Sequence, residues 1–136
     1  MQDNEKYDLA GQVIGCAMRV HGTLGSGFLE SVYQNALCLE LSELGPSFDT
    51  EKKLTVFYRE KPVGTFSADI IVGDALIIEL KATQALLPIH EVQLVNYLTA
   101  TGIDEGLLLN FGTSSLQFKK KFRSPKPTQD PPDLLT

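Results

Sequence analysis

The chain has 136 residues, of which 43% are apolar and 21% are charged. This length predicts one ordinary domain, and the composition is typical of a soluble protein with its own core. No apolar run approaches the ~18 residues that cross a membrane, and the first six residues are too polar and acidic for a secretory signal. Cys16 and Cys38 lie in helical patterns without metal-like spacing, which predicts reduced, buried thiols. We expect a cytoplasmic protein.

The net charge of −5 argues against simple nucleic-acid binding, which usually relies on a basic surface. The charge is unevenly distributed along the chain. From residue 119 onward there are five basic and two acidic residues, so the net charge of that segment is 5 − 2 = +3. The net charge of the rest of the chain is therefore −5 − 3 = −8. Carboxylates collected around a divalent cation would contribute to such an excess. An ordinary solvated surface would do the same, and charge alone leaves both interpretations open.

The first half of the chain predicts two helices. Apolar residues recur every three or four positions from Tyr7 to His21, and a glycine-rich loop follows at Gly22, Gly25 and Gly27. A second helix is predicted over residues 28–44 and stops at Gly45-Pro46. Its inward side chains are expected to be Leu29, Val32, Ala36 and Leu37.

The second half predicts five strands and one helix. Strands are expected at residues 53–58, 63–72, 75–81, 107–111 and 116–122, with a helix over 88–101 between the third and fourth. The order ααβββαββ predicts an α+β domain with a mixed β-sheet flanked by helices, over residues 1–123. Residues 124–136 carry four prolines and are predicted to form a flexible tail.

Charged side chains directly follow apolar runs on two neighbouring strands. Asp69 lies in the first of these, and Glu79 and Lys81 end the second. Glu79 and Lys81 are two residues apart and therefore share one face of their strand. Two carboxylates suffice for a hard cation such as Mg²⁺, which keeps most of its waters, and a nearby ammonium could act on a water molecule.

The hairpin between these strands restricts that interpretation. Opposite residues of an antiparallel pair share a face, so Asp69 joins Glu79 only if paired positions add up to an even number. A two-residue Gly73-Asp74 loop would pair Val72 with Ala75 and would separate the two acids. The site therefore requires an odd-length loop or a bulge at Gly73. On these residues alone, an ion pair at a strand end explains the pattern equally well.

Five ordered motifs resemble those of the GxxExxY family, which is placed in the PD-(D/E)XK nuclease superfamily. The first is Gly27-Phe28-Leu29-Glu30-Ser31-Val32-Tyr33, after a similar lead-in over residues 20–25. The later ones are Ala68-Asp69, Glu79-Leu80-Lys81-Ala82, the block at residues 90–98 that contains Gln93, and the block at residues 107–112. The superfamily motif has proline where this chain has Ala68, a change that is common among relatives.

The resemblance implies a role for each matching residue. Asp69, Glu79 and the backbone carbonyl of Leu80 would bind Mg²⁺ or Mn²⁺, and Lys81 would orient or deprotonate the attacking water or neutralise the phosphorane. Glu30 corresponds to the acid that the first core helix contributes through a metal-bound water. Gln93 corresponds to a helix glutamine that often follows E-x-K.

Four further residues have both a structural and a functional interpretation. Tyr33 and Tyr97 follow Glu30 and Gln93 by three and four positions, and both are more typical of packed tyrosines with a satisfied hydroxyl. His21 and His90 could lie at the metal, although a buried or hydrogen-bonded histidine is the more usual outcome in each case.

Two functions follow from this reading. The first is a metal-dependent nuclease acting on DNA or RNA. The alternative is a catalytically silent binding or regulatory module with the same fold, which the acidic body favours. The predicted edge strand at residues 116–122 could be covered by homo-oligomerisation, or be protected by its lysines.

Overall fold

The protein is described by a computed structural model that covers residues 8–123. The predicted element order ααβββαββ is confirmed. The elements are α1 (Leu9–Leu24), α2 (Glu30–Leu44), β1 (Phe48–Tyr58), β2 (Lys61–Val72), β3 (Leu76–Lys81), α3 (Pro88–Thr101), β4 (Glu105–Asn110) and β5 (Gln117–Phe122). The predicted tail lies outside the described residues, so the division at residue 123 stays a prediction.

The five strands form one mixed sheet in the order β1-β2-β3-β4-β5. Only β3 and β4 run parallel, and a parallel pair needs a crossover, which α3 provides. Helices α1 and α2 pack on one face of the sheet, and α3 packs on the other. The predicted α+β class with a mixed, helix-flanked sheet is therefore confirmed. Within residues 8–123 no helix is long and apolar enough to span a bilayer.

The two central strands are buried on both faces, which explains their continuous apolar sequences. On β3, Ile78 packs in the core beneath α1 and α2, whereas Ile77 packs against Leu94 and Leu98 of α3. Successive side chains of a strand point to opposite faces, so Glu79 extends from the face that α3 covers.

The helices differ from the prediction in two details. Helix α1 runs through Gly22 and ends at Leu24. Helix α2 begins only at Glu30, because Leu29 has an extended backbone, and 76% of the Leu29 side chain is exposed. Val32 is exposed too, and the inward stripe is instead Tyr33, Leu37 and Leu41, whose spacing of four fits one face of a helix. The prediction that Leu29 and Val32 point inward was wrong.

The loop between β2 and β3 has the odd length that the candidate site requires. It consists of Gly73, Asp74 and Ala75, and Gly73 has a φ of 55°, a left-handed conformation that glycine adopts without steric strain. The pairing is Val72 with Leu76 and Ile70 with Ile78, so paired positions add up to 148. Continuing this register places Asp69 opposite Glu79.

The outer strands are β1 and β5. Strand β1 begins at Phe48, five residues before the predicted start. The prediction missed these residues because the early part of this edge strand is polar and exposed. The predicted edge position of β5 is confirmed, and Lys119 and Lys120 are exposed on it. Homo-oligomerisation through this edge stays a prediction. Both cysteines are free, with Cys16 buried and Cys38 half-buried.

Asn110 ties together the loops that follow β3 and β4. Its side chain is fully buried. Its Oδ1 accepts from the backbone N–H groups of Thr83 and Gly112, both at 3.0 Å, while Nδ2 donates to Thr83 O and to Gln117 Oε1. The segment after Lys81 is thus fixed by a residue at the end of the neighbouring strand.

Replacing Asn110 by alanine should destabilise the fold. Asn110→Ala leaves several buried polar groups without their partners, each of which costs roughly 1–3 kcal/mol when unsatisfied. We expect the free energy of unfolding in urea to fall by at least about 2 kcal/mol. The matched control is Asn35→Ala on the exposed side of α2, which should change it by under ~0.5 kcal/mol. Equal effects of the two substitutions would contradict the bridging role.

Candidate active site

Strands β2 and β3 stop pairing through their backbones at the point where the two acids lie. The ladder ends at Ile70 and Ile78. Beyond it, the backbone N–H of Asp69 donates to Glu79 Oε2 at 3.0 Å, and the backbone N–H of Leu80 donates to Asp69 Oδ2 at 2.8 Å. Each carboxylate therefore binds the backbone of the opposite strand, and the pair fills the gap between the strands.

The two carboxylates lie in an environment that opposes their ionisation. Glu79 is only 8% exposed, and burial together with the charge of Asp69 raises the pKa of Glu79 to about 8. Burial also raises the pKa of Asp69, and the charges of Glu51 and Glu30 add to this, while the N–H of Leu80 acts against it. Such a pair is stabilised either by a proton or by a cation that binds both oxygens.

Lys81 lies near both acids without forming a close ion pair. It is half-buried, and its charge lowers the pKa of Asp69 and of Glu79. Yet no salt bridge in the described part of the chain involves Lys81. The alternative of a simple ion pair at a strand end is therefore not what the side chains adopt. The ammonium remains beside the pair, where it could act on a third group.

The oxygen donors of the gap suit a hard cation. The N–H and C=O of one strand residue point to the same side. The N–H of Leu80 donates to Asp69 on the β2 side, so we expect the Leu80 carbonyl to face the gap as well. The next carbonyl, that of Lys81, points the other way and accepts from the N–H of Phe111 on the β4 side. No three His, Cys, Asp or Glu side chains within residues 8–123 converge as a metal cluster. Two carboxylates and a carbonyl fit Mg²⁺ or Mn²⁺, with waters completing the shell.

Glu30 lies at the first turn of α2, close enough for its charge to act on Asp69. The loop before it is held by Tyr33, which is fully buried. The Tyr33 hydroxyl donates to the carbonyl of Gly25 at 2.6 Å and accepts from the N–H of Phe28 at 3.2 Å. Gly27 has a φ of 112° in the same loop, a conformation that favours glycine. Tyr33 therefore packs with its hydroxyl satisfied, and it positions the start of the helix that carries Glu30.

Glu51 is an acid at the site that the sequence did not reveal. It lies on β1 between the pairs of Thr50 with Ile70 and Lys52 with Ala68, opposite Asp69. Its charge raises the pKa of Asp69, and its carboxylate accepts from Gln34 of α2 at 3.0 Å. The backbone of Glu51 has a φ of 52°, which is unusual for a non-glycine residue. The only sequence signal was an acid five residues after Pro46, in a stretch too polar to predict a strand.

Helix α3 brings Tyr97 to the acids. Burial raises the pKa of Tyr97, and the charges of Glu79 and Asp69 raise it further. The ring of Tyr97 stacks on Phe66 of β2, with ring centroids 4.0 Å apart. Gln93 is exposed one helical turn before Tyr97, on the same side of α3.

The two histidines have structural contacts. His21 is buried, its Nε2 lies 2.9 Å from the carbonyl of Thr113, and its ring lies 6.2 Å from that of Phe111. His90 accepts the N–H of Leu87 through Nδ1 at 3.0 Å and so caps the start of α3. Both contacts match the usual structural role of histidine.

Replacing Glu79 by glutamine should stabilise the metal-free protein at high pH. Glu79 has a higher pKa in the folded chain than its ordinary 4.5. Between pH 4.5 and about 8, the folded state therefore retains a proton that the unfolded state has already released. Stability is greatest below this window and falls as pH rises through it. In chelator at pH 8.5, Glu79→Gln should raise the free energy of unfolding by on the order of 2 kcal/mol, and by much less at pH 5.

Glu91→Gln is the matched control for this measurement. Glu91 pairs with Lys121 at 3.0 Å, and this hydrogen bond lowers the pKa of Glu91, so the control should not stabilise the protein at high pH. Urea unfolding at both pH values measures all three proteins. Parallel loss of stability with pH in the wild type and Glu79→Gln would show that Glu79 does not carry the effect.

Removing the Tyr33 hydroxyl should loosen the loop before Glu30. Tyr33→Phe leaves the Gly25 carbonyl and the Phe28 N–H without their partner, and we expect Phe28 to exchange its amide hydrogen at least ~10-fold faster. Tyr97→Phe also removes one hydroxyl, from the helix that packs on the opposite face of the sheet, and serves as the control. Unchanged protection of Phe28 would mean that the loop is held by other contacts.

A family match and one solved structure agree with this architecture. A family model described as the PD-(D/E)XK nuclease superfamily matches residues 7–123. No curated protein matches the chain. The crystal structure of SSO0001 is similar, with 20% identity, a TM-score of 0.52 and 71% of this chain covered; the chain spans 54% of that protein. An alkaline exonuclease, LHK-Exo from Laribacter hongkongensis, has 14% identity and a TM-score of 0.46, with 79% of this chain and 76% of that one covered.

The likeness to SSO0001 concerns the fold alone, so the family assignment comes from the sequence match. The match is to the superfamily, and membership of the GxxExxY family within it stays a prediction. Because the match includes every helix and strand described above, the chain belongs to the PD-(D/E)XK nuclease superfamily.

Proposed function

We propose that this protein is a divalent-metal-dependent nuclease that hydrolyses phosphodiester bonds in DNA or RNA. The observation that carries the proposal is the gap between β2 and β3, where Asp69 and Glu79 are held by opposite backbones. Lys81 lies beside both acids and forms no salt bridge with any residue of the range 8–123. Membership of the PD-(D/E)XK nuclease superfamily supports the proposal, because the matched range, residues 7–123, contains all three of these side chains.

The residues of the gap have distinct roles in this mechanism. Asp69, Glu79 and the Leu80 carbonyl would hold Mg²⁺ or Mn²⁺, and Glu30 would act through a water. When bound, the cation supplies Lewis-acid stabilisation of charge on the phosphate. The Lys81 ammonium would orient the attacking water or neutralise the charge of the phosphorane, and it could deprotonate the water only after releasing its own proton.

Residues of α3 complete the site. Gln93 would contact the water or the phosphate from its exposed position, one turn before Tyr97. Tyr97 stacks on Phe66, and the charges of both acids act on Tyr97, so this ring pair lies beside the gap on the side of α3. The two rings would limit the access of bulk water to the acids and so strengthen the electrostatic interactions within the gap.

Substitution of Lys81 tests the mechanism. Lys81→Ala should lower the Mn²⁺-dependent rate of cleavage of a fluorescent oligonucleotide by on the order of 10²-fold or more. Mn²⁺ affinity, measured by calorimetry, should be kept or improved, because a nearby positive charge has been removed. Lys81→Arg keeps the charge but cannot release a proton and presents a planar fork, so it should also be impaired. Lys120→Ala, an exposed lysine of β5, is the control.

This experiment also separates the nuclease from the competing role, a binding module that cleaves nothing. The net charge of −5 favours that role, because a nuclease must attract a polyanion. A module would bind without metal-dependent cleavage in any variant. Full activity in both Lys81→Ala and Lys81→Arg would contradict the mechanism itself.

A further inference from the structure

The hairpin of β1 and β2 extends well beyond the rest of the sheet. Strand β3 pairs with β2 only at residues 70–72, whereas β1 and β2 stay paired from there to Tyr58 and Lys61. We call residues 52–68 the arm, since Lys52 and Ala68 are the first pair beyond Asp69. Asp69 lies eight residue steps along the strand from Lys61, which corresponds to about 27 Å.

The arm is basic in an otherwise acidic protein. It contains four basic residues and one acidic residue, which gives 4 − 1 = +3, so the rest of the chain is −5 − 3 = −8. Lys53, Arg59 and Lys61 are exposed, and none of them forms a salt bridge with another described residue. Lys52 makes one exposed contact with Asp49 at 3.7 Å. Within this chain the arm is thus a surface that attracts anions.

Large apolar side chains are exposed among these charges. Phe57 and Tyr58 are each 63% exposed, and Val63 is 61% exposed. The guanidinium of Arg59 lies over the ring of Tyr58, 5.5 Å from its centroid. Aromatic rings that alternate with basic groups provide both stacking surfaces for bases and partners for phosphates.

The tip of the arm retains charged side chains where the backbone favours glycine or asparagine. Arg59 and Glu60 form a two-residue turn, with φ values of 52° and 65°. Such turns normally contain Asn-Gly or a similar pair, because a bulky residue is strained at positive φ. Folding alone would favour glycine here. The guanidinium at the tip therefore has a stability cost that a binding role would explain.

The base of the arm leads directly to the acid pair. Phe66 of the arm stacks on Tyr97, and the charges of Glu79 and Asp69 act on Tyr97. Strand β2 continues from the arm into Asp69 without a break. A nucleic-acid strand with one phosphate at the acids could therefore follow the arm towards its tip.

We propose that the arm binds single-stranded nucleic acid, with a base stacked on Tyr58 and phosphates paired with Lys53, Arg59 and Lys61. Stacking requires unpaired bases, so the arm selects single strands or frayed ends over closed duplex. This inference deepens the proposed function, since it identifies the form of nucleic acid that the site receives. The binding itself does not depend on cleavage.

Anisotropy of fluorescein-labelled single strands, DNA and RNA, measures this binding in chelator over a range of salt. Tyr58→Ala should weaken binding by about 5- to 100-fold, the range expected for the loss of one stacked base. The double variant Arg59→Glu with Lys61→Glu should weaken it further and flatten the dependence of log affinity on log salt by about 1.4, for two lost phosphate contacts. Labelled blunt duplex should bind more weakly than the single strands.

The opposite edge of the sheet offers matched controls. Phe122 on β5 is 63% exposed, as Tyr58 is, and Lys119 and Lys120 are exposed beside it. Phe122→Ala removes an aromatic ring, and the double variant Lys119→Glu with Lys120→Glu reverses two positive charges, so they match the arm variants in ring loss and in net charge away from the arm. These control variants should reduce the affinity for single strands by less than about threefold, because they change only the overall electrostatic field of the protein.

The outcomes separate this proposal from the nuclease proposal. Loss of binding in the arm variants alone supports the arm, even if no protein cleaves. The arm proposal would be overturned if arm and control variants lost affinity equally, or if the wild type did not bind single strands. Cleavage that depends on Lys81, together with single-strand binding that is unchanged in the arm variants, would leave the nuclease intact and remove the arm proposal.

Discussion

Two backbone N–H groups, of Asp69 and Leu80, donate to carboxylates from the opposite strand where an ordinary sheet would use carbonyl oxygens. This exchange lets β2 and β3 separate without leaving polar groups unsatisfied, and it holds both acids in one gap. It depends on the even register that the three-residue loop at residues 73–75 imposes. A loop one residue shorter would turn one acid to the other face, and no rearrangement of side chains could restore the pair.

The buried acid pair in the gap lowers the stability of the fold, which the apolar core provides. Two carboxylates share a buried space, and Glu30 and Glu51 add negative charge from α2 and β1. The central strands can bear this because both faces of β3 and β4 are packed against helices. This combination of a destabilising charged gap and a well-packed core is typical of functional sites, where local stability is given up for a group that binds or reacts.

Much of the fold and part of the site could be predicted from the sequence. The element order, the bounds of α3 and the pairing constraint on Asp69 followed from periodicity, turn residues and parity. The inward face of α2 could not, because Leu29 is apolar yet caps the helix with an extended backbone. Glu51 was missed because its contribution arises from a backbone with positive φ and from the register of β1, and neither leaves a local signal.

Strand β1 is long, lies at the sheet edge and carries exposed aromatic residues, a combination that invites unwanted strand addition between copies of a protein. Its regularity is broken twice, by the positive φ of Glu51 and by the bulge between Val56 and Phe57. Adjacent lysines at 52 and 53 repel a second edge of the same kind. The features that shape the arm therefore also oppose fibril-like polymerisation, so flattening this edge by design would endanger solubility before it affected folding.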